Sequence, residues 1–248
     1  GYKVISRESI IETSEQFNIP EIKLKKALHH GPSILDKFYY GKERYLAFMK
    51  VNILEHLAQD NTIYHGLAGH AFSEGLDHEL DIRVRADFED RVKRYMEYVK
   101  QEEGEELTER EASNNLYKDD KERLKWSLHI TGIDQSDPTY YDVVYNASKL
   151  KVDDIVDSII QFLNLPYLQA TPESQHKIEQ LLLAARVKAH IVEKFPSAKV
   201  SCKDYVAYVN IKANIEQEPN IKYHVEKKAS AVEGIKEVRV HVEPPFQI

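Results

Sequence analysis

Along the chain, segments in which apolar residues recur with the helical period are separated by short apolar runs that fit strands. The short runs predict strands over 3–6, 62–65, 80–86 and 142–146. The helical pattern predicts helices over 7–17, 41–58, 88–99, 108–130 and 152–163, with a brief one in "AGHAFSEG". Asp87 is expected to cap the helix over 88–99, and Thr108-x-x-Glu111 is a capping box for the next helix.

Two of these helices have a well-defined apolar side. In the helix over 41–58 the inward residues are Tyr45, Phe48, Met49, Asn52 and Ile53. In the helix over 152–163 they are Val152, Ile155, Val156, Ile159, Ile160 and Leu163. Strands separated by helices predict an α/β fold with a parallel sheet and helices on both faces. Ligands of such sheets bind at the carboxyl ends of the strands, which places on one rim Ser6-Arg7, His65–Gly69 and Ala86–Asp87.

The pattern changes after "NLPYLQATPES", which is typical of a linker because it holds two prolines and no period. Beyond it we predict a helix from about Ile178 to Val192, then strands over 199–202 and 205–215, a helix over 220–232 and a strand over 237–243. This αββαβ order predicts a small α+β domain. The predicted domains are therefore 1–165 and 178–248, joined by a linker over 166–177.

Composition narrows the possible functions. The 248 residues carry a net charge of −7, yet residues 175–248 hold 12 Lys+Arg and 9 Asp+Glu, so the charge also suggests two units. Neither part has the strongly basic character of a nucleic-acid binder. Apolar runs are too short for a membrane span. Cys202 is the only cysteine, which excludes an internal disulfide and fits a cytoplasmic location.

The stretch "IYHGLAGH", residues 63–70, is a candidate phosphate site because a predicted strand runs through a glycine turn into a helix. A Walker loop needs Gly-x-x-x-x-Gly-Lys-Ser/Thr, and no such motif occurs in this sequence. The alternative is a turn that needs small residues for close packing.

No metal site is predicted, because the histidines near this turn have no known ligand spacing. The adjacent pair His29-His30 would point in different directions on a helix. Asp153-Asp154 fit the first turn of a helix better than a magnesium site. Trp126 is expected to be a packing residue, as are Tyr39, Tyr40 and Tyr45.

The order of motifs over residues 81–150 resembles the cytidylate kinase-like group of nucleoside monophosphate kinases. An Arg-Val-x-Ala strand is followed by Glu89-Asp90-Arg91-Val92-x-Arg94 and by Asp120-x-x-Arg123 in a lid helix. The order ends with Tyr141-Asp142-x-Val144-x-Asn146 and Lys149-Leu150. The resemblance implies a P-loop kinase fold that transfers the γ-phosphoryl group of ATP, with Mg²⁺, to a nucleotide such as CMP.

The resemblance also implies roles for individual residues. Arg123 would be the lid arginine that closes on the phosphates, with Asp120 beside it in the same catalytic motif. Arg91 and Arg94 would bind nucleotide or phosphate, and His65, Gly66 and Gly69 would face the acceptor phosphate. Asp36 and Arg44 are candidates for gripping the acceptor base or phosphate. The open alternative is that these arginines lie on solvated helix faces and pair with neighbours such as Glu89, Glu97 or Asp119.

Two departures from the family pattern leave the activity open. Gly66-Leu67 stands where the family usually has Gly-Arg, so a phosphate-binding arginine is missing. The family also begins with a strand, a phosphate loop and a helix, whereas the first residues of this sequence match the segment that follows that helix. We expect a further segment upstream of Gly1 rather than a protein without a donor site.

The C-terminal part resembles the BON domain through "AARVKAHIVEKF", "VAYVNIKANI" and "AVEGIKEVRVHV". The resemblance implies a non-catalytic module that binds a ligand or a partner. Asp204-Tyr205 stands where that domain usually has Asn-Gly at a hairpin turn. Three hypotheses follow for the whole chain: a nucleotide kinase, a nucleotide sensor without turnover, or an interaction module carried by a kinase scaffold. The oligomeric state stays open.

Overall fold

The computed structural model describes residues 1–6, 41–66 and 69–244. The predicted helix over 7–17, together with Asp36 and the pair His29-His30, lies outside these residues. In chain order the described elements are β1 (Lys3–Ile5), α1 (Gly41–Leu57), β2 (Thr62–Tyr64), α2 (Gly69–Ser73), β3 (Ile82–Arg85), α3 (Phe88–Glu102), α4 (Glu109–Ile130), β4 (Val143–Asn146), α5 (Val152–Leu163), α6 (Pro172–Ile191), β5 (Lys199–Lys203), β6 (Val206–Lys212), α7 (Glu218–Ala229) and β7 (Glu237–Glu243).

The chain divides into two compact units. The first contains Gly1–Gly66, Phe72–Leu76 and Ala170–Ile248, and the second contains Leu67–Ala71 and Asp77–Gln169. The first unit therefore combines segments from both ends of the sequence. These units cut the chain differently from the predicted boundaries at 165 and 178, which remain a prediction about its modules.

Helix α1 joins the two parts of the first unit. Its predicted inward residues are all buried, and its neighbours Ala47, Val51 and Leu54 are buried as well. One side of α1 packs against α6 in a shared apolar cluster, which on the α6 side and just beyond it contains Ile178, Leu182, Ala185, Ala189 and Val192. Since burial of each large aliphatic side chain contributes about 1.5–3 kcal/mol, this cluster holds the two segments together.

The first unit also contains the predicted αββαβ order. The sheet order is β5-β6-β7, with β5 and β6 antiparallel and β6 and β7 parallel. Helices α6 and α7 cover one face of this sheet, where Val187, Val209 and Val225 are completely buried. Strand β1 pairs in parallel with β2 elsewhere in this unit.

The second unit contains the other parallel pair, β3 with β4, in the register Ile82↔Val143. Helices α3 and α4 form a hairpin joined by residues 103–108, and the capping box of Thr108 and Glu111 is confirmed. Asp87 is the N-cap residue of α3 as predicted, but its side chain makes no cap hydrogen bond. Within the described residues, the predicted parallel strands therefore form two separate pairs.

Helix α5 is less buried than its pattern predicted. Ile155 is buried and Ile159 packs beside it, whereas Val152, Val156 and Ile160 are 64%, 45% and 51% exposed. The prediction of six inward residues is therefore wrong for these three. The physical reason is that a pair of strands is narrow and covers a single stripe of the helix.

Helix α6 begins earlier than the predicted start at about Ile178. Pro166–Leu168 forms a 3-10 turn, and α6 begins at Pro172, inside the region that was assigned to the linker. Thr171 caps α6 by accepting a hydrogen bond from the Ser174 amide, and Pro172 occupies the first turn. Proline is tolerated there because that position has no intrahelical donor to lose.

Candidate functional site

The loops that follow β3 and β4 are tied to each other in the second unit. The Ala147 amide donates to the Arg85 carbonyl at 2.8 Å, and the Asp87 amide donates to the Ser148 hydroxyl at 2.8 Å. The Asn146 side chain accepts from the Ser148 amide at 3.0 Å. These bonds fix the carboxyl ends of both strands, which is where ligands of parallel sheets bind.

Arg94 is anchored to these tied strand ends. Its Nη2 donates to the Ala147 carbonyl at 2.9 Å, so α3 is tied to the loop after β4. The remaining guanidinium donors of Arg94 are available for a second acceptor, because a guanidinium carries five N–H groups.

Arg91 and Asp120 form the strongest polar link between α3 and α4. Both terminal nitrogens of Arg91 donate to the two carboxylate oxygens of Asp120 at 2.7 Å. This bidentate geometry is the favoured one for arginine with a carboxylate. The hydrogen bonds to Asp120 raise the pKa of Arg91 above its usual value, so this side chain stays charged. The structure therefore brings together two of the predicted site residues.

Arg123 lies on α4, about one turn beyond Asp120. Its Nε donates to Asp119 at 2.8 Å, and both side chains are about half exposed, at 53% and 52%. This is the helix-surface pair that the alternative interpretation of the arginines predicted. Exposed pairs of this kind contribute little to stability, so a phosphate can displace Asp119 at small cost.

The glycine turn after β2 belongs to the first unit up to Gly66. The His65 amide donates to the Ile5 carbonyl at 2.8 Å, which extends the pairing of β1 and β2 by one residue. A Cβ atom at Gly66 would overlap the Tyr64 phenol, so a larger residue here would force the Tyr64 side chain to move. Burial raises the pKa of Tyr64 to about 12. This turn therefore has a structural reason for one of its glycines, as the packing alternative predicted.

Gly69 and His70 begin α2 and belong to the second unit. The His70 ring stacks on Tyr140, with ring centroids 5.3 Å apart, and meets the edge of Tyr141 at 5.8 Å. Burial lowers the pKa of His70, which keeps the imidazole neutral. Its Nε2 is buried and has no hydrogen-bond partner among the described residues.

Arg44, the other acceptor-side candidate, lies in the first unit. It forms an ion pair with Glu193 at 3.1 Å and covers the Phe48 ring at 5.4 Å. Asp36 lies outside the described residues. The structure therefore gives Arg44 a partner just after α6, while the role predicted for it stays a prediction.

Sequence reasoning overlooked Ser148 and Arg85. Ser148 links the two strand ends, and Arg85 is the exposed last residue of β3. The available signal was position, since both residues lie at the carboxyl ends of predicted strands.

Neither a metal cluster nor a membrane helix is found in the described ranges. In residues 1–6, 41–66 and 69–244, no three His, Cys, Asp or Glu side chains form a group suited to a metal ion. A helix with the length and apolarity of a membrane span is likewise not seen in that part of the chain.

Comparison with known proteins agrees with the motif order. The comparison with curated proteins gives no match. The sequence profile described as "Cytidylate kinase-like family" matches residues 1–149. The match runs through the paired Arg91 and Asp120, through Arg123, and through the tied ends of β3 and β4. Because it covers more than half of the sequence, the chain belongs to the cytidylate kinase-like family.

Proposed function

We propose that this protein is a phosphotransferase that moves the γ-phosphoryl group of ATP to a nucleoside monophosphate such as CMP. The observation that carries the proposal is the arrangement of the α3–α4 hairpin, where Arg91 holds Asp120 and Arg123 follows one turn later. Its membership in a kinase-like family supports the same chemistry.

Arg123 is the proposed catalytic residue. Phosphoryl transfer spreads negative charge over the phosphate oxygens, and a positioned arginine stabilises that charge. The guanidinium of Arg123 is half exposed and is held by a single carboxylate, so it is free to exchange Asp119 for phosphate. Arg94, with donors to spare beyond the Ala147 carbonyl, is the second proposed phosphate contact.

Asp120 and Arg91 are proposed as positioning residues, because each satisfies the other. Their bidentate pair links α3 to α4 one turn before Arg123, and its proposed role is to hold this part of α4 in place. This assignment refines the roles predicted from sequence, in which Asp120 was catalytic and Arg91 bound a nucleotide or phosphate. The proposed acceptor-side residues are His65, Gly66 and Gly69, together with Asp36 and Arg44.

Kinases of this kind generally use ATP with Mg²⁺. The described residues fit the phosphate part of such a ligand through their arginines. They offer no carboxylate cluster for a dedicated metal cage. Mg²⁺ commonly binds through substrate phosphates and water, with few protein ligands, and when bound it neutralises phosphate charge.

The test is ATP-dependent phosphorylation of CMP, UMP and AMP by the full-length protein that carries this chain. Replacing Arg123 with alanine is expected to lower turnover about 10³-fold, the low end for an arginine that stabilises transferring phosphate. Arg110→Ala on the same helix is the matched control, because Arg110 is exposed and lies outside the proposed site. Unchanged turnover in Arg123→Ala would remove this residue from the mechanism.

A nucleotide sensor without turnover is the second candidate. Two observations favour it: Leu67 stands where the family has arginine, and both Arg91 and Arg123 are paired with carboxylates. Calorimetry with the same monophosphates separates the two functions. A sensor binds a monophosphate but forms no diphosphate from it with ATP. A kinase binds the monophosphate and also converts it to the diphosphate.

We also propose that residues 178–248 form a BON-like module with a binding role. The αββαβ order and the β5-β6-β7 sheet support this proposal.

A further inference from the structure

A cavity of about 540 Å³ lies in the first unit, and none of its lining residues belongs to the proposed kinase site. Its walls come from the loop after α6, the end of β6 and the first two turns of α7. This volume lies within the range of small-molecule sites, about 300–1,000 Å³. The polar side chains that line it include Lys194, Lys212, Asn220, His224, Ser197 and Glu43.

The charge in this cavity is predominantly positive. Across the described ranges, neither Lys194 nor Lys212 forms an ion pair, so both ammonium groups can bind an anion. Gln217, the residue before α7, also lines the cavity and makes no side-chain cap hydrogen bond, so its amide group can donate to a ligand as well.

Hydrogen bonds from Lys188 hold the loop that carries Lys194 and Ser197. The Lys188 ammonium donates to the carbonyls of Pro196 and Ala198 at 2.6 Å each, and to the Phe195 carbonyl at 3.4 Å. Burial lowers the pKa of Lys188 to about 8, against the opposing effect of Glu43. Because these carbonyls are turned towards Lys188, they do not weaken the positive potential of the cavity. A preformed wall of this kind reduces the ordering cost of binding.

The rest of the lining is apolar and includes an aromatic ring. Phe195, Ile211 and Ile221 line the cavity, and the Lys194 ammonium lies 5.8 Å from the centre of the Phe195 ring. A ligand with both a charged group and a flat ring can use the lysine and the ring together. Glu43 supplies an acceptor for a hydroxyl or amino group of the ligand.

We propose that this cavity binds a small phosphorylated molecule of nucleotide size, with its phosphates at Lys194 and Lys212 and its ring against Phe195. An inorganic polyphosphate and a nucleotide share the charged part of this chemistry. The aromatic wall favours the nucleotide. This proposal goes beyond the proposed phosphotransferase function, because it concerns a different set of residues.

The test is isothermal titration of the full-length protein with inorganic pyrophosphate and with ADP, without Mg²⁺. The double variant Lys194→Gln/Lys212→Gln is expected to weaken a binding event about 30-fold for both probes, as for the loss of two charge-assisted contacts. The control is Lys199→Gln/Lys203→Gln, which removes the same charge from exposed lysines of β5 outside the cavity. This control should change the dissociation constant of that binding event by no more than about twofold.

Three results would overturn the proposal: no binding to the wild-type protein at millimolar probe, equal binding in the Lys194/Lys212 variant, or equal loss in the control. ADP that binds no more tightly than pyrophosphate would overturn the nucleotide-sized part. Arg123→Ala should keep this binding event, so failure of the kinase proposal and failure of this one give different results.

Discussion

Asp81, just before β3, shows how one buried carboxylate sets a pH dependence. Burial and the neighbouring carboxylate of Asp142 raise the pKa of Asp81 from 3.8 to about 6. The folded protein therefore binds this proton more tightly than the unfolded chain. The free energy of unfolding contributed by Asp81 is largest below about pH 4 and is lost as the pH rises through about 6.

Asp81→Asn should stabilise the protein at neutral pH and not at acidic pH. We expect the free energy of unfolding at pH 7.5 to rise by about 1 kcal/mol, a value reduced for the partial exposure of the side chain. At pH 4 the gain should vanish, because Asp81 is then protonated in the folded state. Urea unfolding at both pH values measures this, with the exposed Asp157→Asn on α5 as control. An equal gain at both pH values would contradict the assigned pKa.

Asp204 and Tyr205 show how tertiary contacts override a turn preference. Both have positive φ values, 52° and 68°, as a two-residue hairpin turn requires, although neither is glycine. The Tyr205 amide donates to Gln180 at 2.9 Å, its hydroxyl donates to Glu179 at 3.0 Å, and Lys236 lies 4.3 Å from the centre of its ring. These contacts offset the strain of a bulky residue in the left-handed region.

At the scale of elements, a bidentate ion pair links the two helices of the α3–α4 hairpin. Arg91 and Asp120 are 33% and 41% exposed, while Lys100 and Glu106 near the loop are 66% and 76% exposed. Both pairs have a closest distance of 2.7 Å, so geometry alone does not distinguish them. Solvent screening does, because water weakens the exposed pair more strongly.

A double-mutant cycle on Arg91→Ala and Asp120→Ala should show a coupling energy of about 1 kcal/mol in urea unfolding. The bidentate geometry and partial burial are the physical reasons. The same cycle on Lys100 and Glu106 is the control and should show no measurable coupling. Equal coupling in the two cycles would contradict the role of partial burial, and no coupling between Arg91 and Asp120 would show that this pair does not stabilise the hairpin.

At the scale of the whole molecule, the first unit is built from segments more than a hundred residues apart in sequence. Leu54 of α1 is completely buried in the apolar cluster that it shares with α6. Arg186 of α6 donates to Glu55 of α1 at 2.9 Å beside this cluster. The stability of α6 is therefore linked to a residue of the kinase-like region.

Leu54→Ala should destabilise both segments together, by about 2–5 kcal/mol as for large-to-small changes in a core. Hydrogen exchange should become faster in α6 as well as in α1, because the cavity opens in their common interface. Leu124→Ala on α4 is the control, since Leu124 is 36% exposed and lies in the second unit. Faster exchange confined to α1 would show that the two segments are stable independently.

Much of the fold was predictable because local signals are strong. The period of apolar residues located the elements from α1 onward, and Thr108 with Glu111 located the start of α4. The motif order gave the family, which the comparison confirmed. The start of α6 was missed because Thr171-Pro172 is a start signal that was interpreted as a linker.

The sequence by itself determined which residues carry apolar stripes, helix caps and phosphate-type arginines, since these depend on near neighbours along the chain. Only the tertiary structure decided that Arg91 binds Asp120, that α1 packs on α6, and that half of the apolar stripe on α5 remains exposed. It alone also brought Lys194 and Lys212 to one cavity. The physical reason is that pairing and burial depend on which surfaces meet across long sequence separations, and periodicity carries no information about that choice.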